Sequence, residues 1–124
     1  MATQSSRHRN WIFTINNPEE YEEGKIELDI ETWKHPKATY IIMQLERGAA
    51  GTPHLQGYLQ LNSPLRRTQL SQWQPRAHFI AANGSADDNK AYCTKEEGRI
   101  EGPWEWGLRR NKDSEMTFLS WLAQ

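Results

Sequence analysis

The sequence predicts an α+β domain: a mainly antiparallel sheet of about five strands with flanking helices. Two strand-like runs, Thr39–Leu45 and His54–Leu61, are joined by the link Arg47–Pro53, whose two Gly and one Pro close an antiparallel hairpin. Helical stretches alternate with further short β-patterned runs, giving the order β-α-β-β-α-β-α-β-α. Hairpins set between helices imply a sheet with helices packed on it. The 124 residues are 36% hydrophobic, with six Trp, four Tyr and three Phe, which is enough apolar material for one such core.

Each element has its own signal. Asn10–Asn17 reads as a strand because Trp11, Phe13 and Ile15 alternate with Ile12, Thr14 and Asn16, and Asn17-Pro18 ends it. Glu19–Trp33 is helical in part, with Ile26, Leu28, Ile30 and Trp33 as its apolar content and Gly24 as an interruption. Thr39–Leu45 is β-branched and apolar, a buried strand, and His54–Leu61 alternates beside it. Thr68–Gln74 is a short helix stopped by Pro75, and His78–Ala82 is a strand. Ser85 is placed to N-cap a helix running to about Glu97, with Asp87 and Asp88 in its first turn. Gly102-Pro103 is expected to turn the chain into a short strand, Trp104–Trp106. Ser114–Leu122 is amphipathic through Met116, Phe118, Leu119 and Leu122. Residues 1–112 thus form one domain, and 113–124 a helix that starts a linker or an oligomerisation segment.

Composition narrows the functional class. A mean hydropathy of −0.90 means a strongly polar surface, and no stretch approaches the roughly 20 apolar residues of a membrane span. The opening MATQSSRHRN has no apolar signal region. The single cysteine, Cys93, excludes an internal disulfide and suits a reducing compartment. Net charge is −1, but Glu19–Glu31 holds seven acids against Lys25, a local −6 that leaves +5 for the rest of the chain. Such asymmetry is compatible with a basic binding face and an acidic back, and equally with one solvated acidic helix.

Two groups of residues carry candidate chemistry. On a strand, His54 and Gln56 point to one face while Leu55 points to the other. Glu46 ends the partner strand and falls close to opposite His54 if the hairpin closes as expected. A carboxylate, an imidazole and an amide, with no thiolate, suit Mg²⁺ or Mn²⁺ and do not suit structural zinc. The plainer alternative is polar strand surface. At 100° per residue, Ser85, Asp88, Asn89, Tyr92, Lys95 and Glu96 share one helix face. Tyr92 on that face is either a nucleophile for a phosphodiester, with the Lys95 ammonium stabilising developing charge, or the anchor that packs the helix on the sheet. Cys93, about 100° away and without a paired His, reads as a small buried thiol.

Taken in order, Phe13-Thr14-Ile15-Asn16-Asn17, Pro53-His54-Leu55-Gln56-Gly57 and Tyr92-Cys93-Thr94-Lys95 resemble the three motifs of the replication-initiator (Rep) proteins of circular single-stranded DNA viruses, of the circovirus and nanovirus kind. His78-Phe79-Ile80 and the run Glu101–Gly107 fit the same resemblance, which covers roughly residues 9–107. It implies the HUH endonuclease fold, an antiparallel sheet related to the RNA-recognition motif. It also implies nicking and joining of single-stranded DNA at a stem-loop origin, through a covalent 5′-phosphotyrosine, to start rolling-circle replication in the host nucleus. Carried over, Tyr92 would be the nucleophile, Lys95 its catalytic partner, and Glu46, His54 and Gln56 the ligands of Mn²⁺ or Mg²⁺. Asn16, Asn17 and an exposed aromatic, Trp11 or Phe13, would meet DNA, with Arg7, Arg9, Arg66 and Arg67 on phosphates. The superfamily's motif is His-hydrophobic-His; Gln56 replaces the second His, as in circovirus- and nanovirus-like members. Glu96 would be a further oxygen donor. No G-x-x-x-x-G-K-[ST] occurs, so the helicase of such proteins is expected to lie outside these residues, and the full-length protein could form a homo-oligomer, with 113–124 as part of its interface.

Overall fold

The computed structural model describes residues 6–16, 35–49 and 51–110. The expected helix in Glu19–Trp33, the acidic run Glu19–Glu31, Asn17 and the segment Ser114–Leu122 lie outside the described residues. Five strands and two helices follow in chain order: β1 Arg7–Asn16, β2 Ala38–Arg47, β3 Pro53–Arg66, α1 Arg67–Trp73, β4 His78–Ala81, α2 Ala86–Cys93 and β5 Arg99–Gly107. The strands form one antiparallel sheet in the order β4-β1-β3-β2-β5, the α+β architecture expected from the sequence. Among the described residues no helix is long and apolar enough to cross a membrane.

Side-chain alternation divides the sheet into two faces. On one face Trp11, Phe13 and Ile15 pack with Met43, Leu45 and Leu55 under Leu70 of α1 and Phe79 of β4. Full burial of an aromatic such as Phe13 stabilises by about 1.5–3 kcal/mol, and its ring lies directly across Gly57 of β3. On the other face Tyr40, Ile42 and Tyr58 pack under Ala86 and Cys93 of α2. Strands β2 and β3 are covered on both faces along most of their length, so β2 reads as a nearly continuous apolar run.

Several boundaries differ from the sequence expectation. Strand β3 continues past Leu61 to Arg66, because Leu65 and Arg66 still pair with His8 and Arg7 of β1. Gly102-Pro103 is not a turn: it lies inside β5, a nine-residue strand, where Gly102 at φ +97° accommodates a register irregularity opposite β2. Helix α2 begins as expected, with Ser85 Oγ accepting from the Asp88 amide (3.0 Å) and the Asp88 carboxylate accepting from the Ser85 amide (3.3 Å). It ends at Cys93, however, well before Glu97. The Lys95 carbonyl, which a longer helix would pair along its own axis, is captured by Gln44 Nε2 at 2.9 Å, and Thr94 Oγ1 turns back to the Lys90 carbonyl at 2.9 Å.

Ion pairs clamp α2 to the last strand and the residues after it. Glu105 accepts from the Tyr40 hydroxyl and pairs with Lys90 at 2.9 Å, while Arg109 pairs with Asp87. The Tyr40 hydrogen bond holds the Glu105 carboxyl below its ordinary value, opposed by burial and helped by Lys90 and Arg109. Burial, reinforced by the Glu105 carboxylate, pushes the Tyr40 phenol up. A depressed carboxyl pKa contributes stability above the unfolded-state value and loses it as pH falls through the folded-state value. Glu105→Gln should therefore lower the Tm at neutral pH, and the gap to the wild-type protein should close in the acid region below the ordinary carboxylate pKa. A gap that stays constant across pH in thermal melts would show that the charge of Glu105 is not the cause.

Candidate active site

The polar centre lies on the α2 face of the sheet, where two cross-strand rows run side by side. Asn16, His54 and Glu46 form one row, since His54 pairs with Asn16 of β1 and with Glu46 of β2. Thr14, Gln56 and Gln44 form the next, extended to β4 by the Thr14–His78 pair. Directly opposed residues on an antiparallel ladder face the same side, so the register alone gathers these side chains. The hairpin expectation for Glu46 and His54 is thus met by direct pairing.

Within this centre, His54 Nε2 lies 3.2 Å from Glu46 Oε1, and Lys95 Nζ lies 2.7 Å from the same oxygen. Glu46 is buried, so both contacts act where water screens little. Its other oxygen accepts from Gln44 Nε2 at 2.6 Å. Gln56 is buried as well; its Nε2 donates to the Phe13 carbonyl (3.4 Å) and its Oε1 accepts from Thr14 Oγ1 (3.3 Å), which fixes the two ends of the amide. Among the described residues no three His, Cys, Asp or Glu side chains cluster in a way that could hold a metal ion.

Tyr92 sits on the last turn of α2 with 52% of its surface exposed. The helix is anchored instead by Ala86, Asn89 and Cys93, all buried. Its shape explains the outcome: the small side chains Ala86 and Cys93 bring the backbone close to Tyr40 and Tyr58, which supply the bulk from the sheet side. The anchor alternative for Tyr92 is therefore overturned. Lys95 is past the helix end, not on its face, yet its Nζ stands 4.1 Å from the Tyr92 ring centroid while holding Glu46. Lys95 is thus the physical link between the tyrosine and the carboxylate. Glu96 is exposed beyond the helix, and among the described residues its carboxylate joins no ion pair. Cys93 is fully buried, and burial pushes its thiol up to about 12, which leaves it protonated and unreactive.

Other candidates are placed elsewhere. Trp11 and Phe13 are both buried under α1, so neither ring can stack a base; residues i and i+2 share a face, and on β1 that face is the core. Asn16 is exposed at the edge of the Glu46–His54 row. Arg7 and Arg66 face each other at the opposite end of β1 from Asn16, about 30 Å away at the rise of a strand. Arg9 and Arg67 belong to that same end, and the structure does not bring the four arginines to the site. Sequence reasoning did not single out Gln44, or Arg76, whose guanidinium reaches the Asn16 carbonyl at 3.1 Å. For Gln44 a signal existed: it is the one amide in an apolar run and stands two residues before Glu46, on the same face.

Residues 8–96 match the family model described as putative viral replication protein. The replication-associated protein of pigeon circovirus is 47% identical over 88 residues, covering 71% of this chain and 26% of that protein. That of beak and feather disease virus is 42% identical over 95 residues (77% and 32%), and the master replication protein of banana bunchy top virus 37% over 97 residues (78% and 30%). The chain spans between about a quarter and a third of the length of these relatives. With a match that runs from β1 to just beyond Lys95 and takes in every residue of the polar centre, the chain belongs to the viral replication-protein family.

Proposed function

We propose that this chain acts in viral DNA replication as an endonuclease that nicks and rejoins single-stranded DNA at a stem-loop origin, through a covalent bond from Tyr92 to the 5′ phosphate. The observation that carries this is the exposed Tyr92 phenol, freed from any anchoring task and joined through Lys95 to the buried Glu46–His54 pair. In the step itself the Tyr92 oxygen bonds to phosphorus as the bond from phosphorus to the 3′ oxygen breaks; the phenolic proton passes to solvent, and the departing oxygen takes a proton from solvent to become the 3′-hydroxyl. The phosphotyrosine keeps the energy of the cut diester, so a later 3′-hydroxyl can reverse the step without ATP. Lys95, whose ammonium stands 4.1 Å from the Tyr92 ring centroid, would stabilise negative charge on the phenolate or the phosphate.

A divalent ion, Mn²⁺ or Mg²⁺, fits the donors present. A carboxylate, an imidazole and amide oxygens are the hard oxygen and nitrogen donors such an ion takes, and His54 Nε2 and Glu46 Oε1 stand 3.2 Å apart. Glu46, His54 and Gln56 would hold the ion, which when bound supplies Lewis-acid polarisation of the phosphate.

The test is a denaturing gel after incubation with Mn²⁺ and a single-stranded oligonucleotide carrying the origin loop. A protein band shifted by the mass of the 3′ DNA fragment is the expected outcome. Cleavage with no shifted band would replace the tyrosine mechanism with attack by water. Binding without cleavage would reduce the chain to a single-strand binding module.

A further inference from the structure

Gln44 is 0% exposed, in a strand where its fully buried neighbours Ile41, Ile42, Met43 and Leu45 are all apolar. Burying an amide is unfavourable unless its polar atoms are matched. Here only the donor end is matched: Nε2 donates to Glu46 Oε2 at 2.6 Å and to the Lys95 carbonyl at 2.9 Å, while Oε1 has no partner among the described residues. For packing alone, Leu or Met would fill this volume without an orphaned acceptor. Both donated bonds end on the candidate site. One takes up the outer oxygen of Glu46, which turns Oε1 toward His54 and the Lys95 ammonium. The other holds the backbone at Lys95, two residues beyond the end of α2 at Cys93.

We propose that Gln44 is a positioning residue that sets the orientation of the Glu46 carboxylate for a divalent cation and tethers the Lys95 backbone to it. This rests on the metal-assisted tyrosine reading given above. Gln44 touches neither cation nor DNA; it acts through Glu46 and Lys95. Loss of such an outer partner of a metal ligand lowers metal affinity by about 10–100-fold.

Gln44→Leu removes both bonds and keeps the volume. Gln44→Met, unbranched and of equal length, serves if the branched side chain prevents folding. The measurement is Mn²⁺ binding to the DNA-free protein by isothermal titration calorimetry, with folding checked by circular dichroism. The expected result is an Mn²⁺ dissociation constant raised about 10–100-fold in a folded variant. Cleavage should then recover as Mn²⁺ is raised, with the KM for the oligonucleotide within about twofold of wild type, a pattern that general loosening of the fold would not produce. If the wild-type protein binds Mn²⁺ and the folded variants bind it equally well, the role of Gln44 is overturned and the site stands. If the wild-type protein binds no Mn²⁺, the metal reading falls and the role of Gln44 falls with it.

Discussion

Tyr92→Phe should abolish the covalent DNA adduct and reduce strand cleavage by on the order of 10⁴ or more, the scale on which loss of a nucleophile is felt. The substitution removes one oxygen from a half-exposed ring and leaves the ring where it is. Among the described residues the Tyr92 hydroxyl makes no hydrogen bond, and the contact from Lys95 is to the ring face, which Phe retains. Stability should hardly change, since surface substitutions away from special features stay within about 0.5 kcal/mol. The combination is diagnostic: a stable protein with DNA affinity intact and chemistry lost. If the shifted band persists in the Phe variant, another group forms the bond and the assignment of Tyr92 is wrong. The buried thiol of Cys93 is a poor substitute, being inaccessible and held protonated.

Gly57→Ala should be a strongly damaging small change to the fold. A Cβ at position 57 would stand 2.5 Å from Cε1 and Cε2 of Phe13 and closer still to Cζ, well inside van der Waals contact. Phe13 is fully buried and tilts against Phe79 (ring centroids 6.2 Å apart), so its ring cannot move aside without disturbing the core. Overpacking of this kind costs about 1–3 kcal/mol or more, and a loss of about 3 kcal/mol in a chain of this size lowers Tm by roughly 10 °C. Gly57 sits between Gln56 and Tyr58 on β3, directly opposite Phe13 on β1 and Met43 on β2. A displaced β1 would also shift Thr14 and the Phe13 carbonyl, which orient the Gln56 amide. Activity should fall with stability. Phe13→Leu, combined with Gly57→Ala, should restore part of the Tm by vacating the space. A Gly57→Ala protein that melts within about 2 °C of wild type would show that the core accommodates the methyl group, against the packing account.

Much of the fold was legible because local chemistry and tertiary packing agree. The 2-residue alternation of Trp11, Phe13 and Ile15, the buried run of β2 and the Ser85 cap all appear where the sequence places them. The disagreements share a cause. Helix α2 stops at Cys93, and just beyond it the Lys95 carbonyl is held by a side chain on β2. Gly102-Pro103 stays in a strand because β2 offers a ladder to pair with. Trp11 and Phe13 are hidden because α1, β4 and β3 close over them. In each case the deciding partner is distant along the chain, and no local window contains it.

The same division holds for the site. By itself the sequence determined which residue types meet in which order: a hairpin carrying Glu46, His54 and Gln56, and a capped helix carrying Tyr92 before Lys95. Strand periodicity and hairpin closure are short-range, so their consequence, His54 opposite Glu46, follows without any further information. Whether Tyr92 packs or stands free was undetermined, because a helix with a single large side chain satisfies both outcomes. Only the tertiary structure decided it: Tyr40 and Tyr58, from strands far away in sequence, fill the space beneath α2, and Ala86 and Cys93 suffice to dock it. Tyr92 is left at the surface with Lys95 across its face and Glu46 behind, since exposure is set by what the neighbouring strands have already filled.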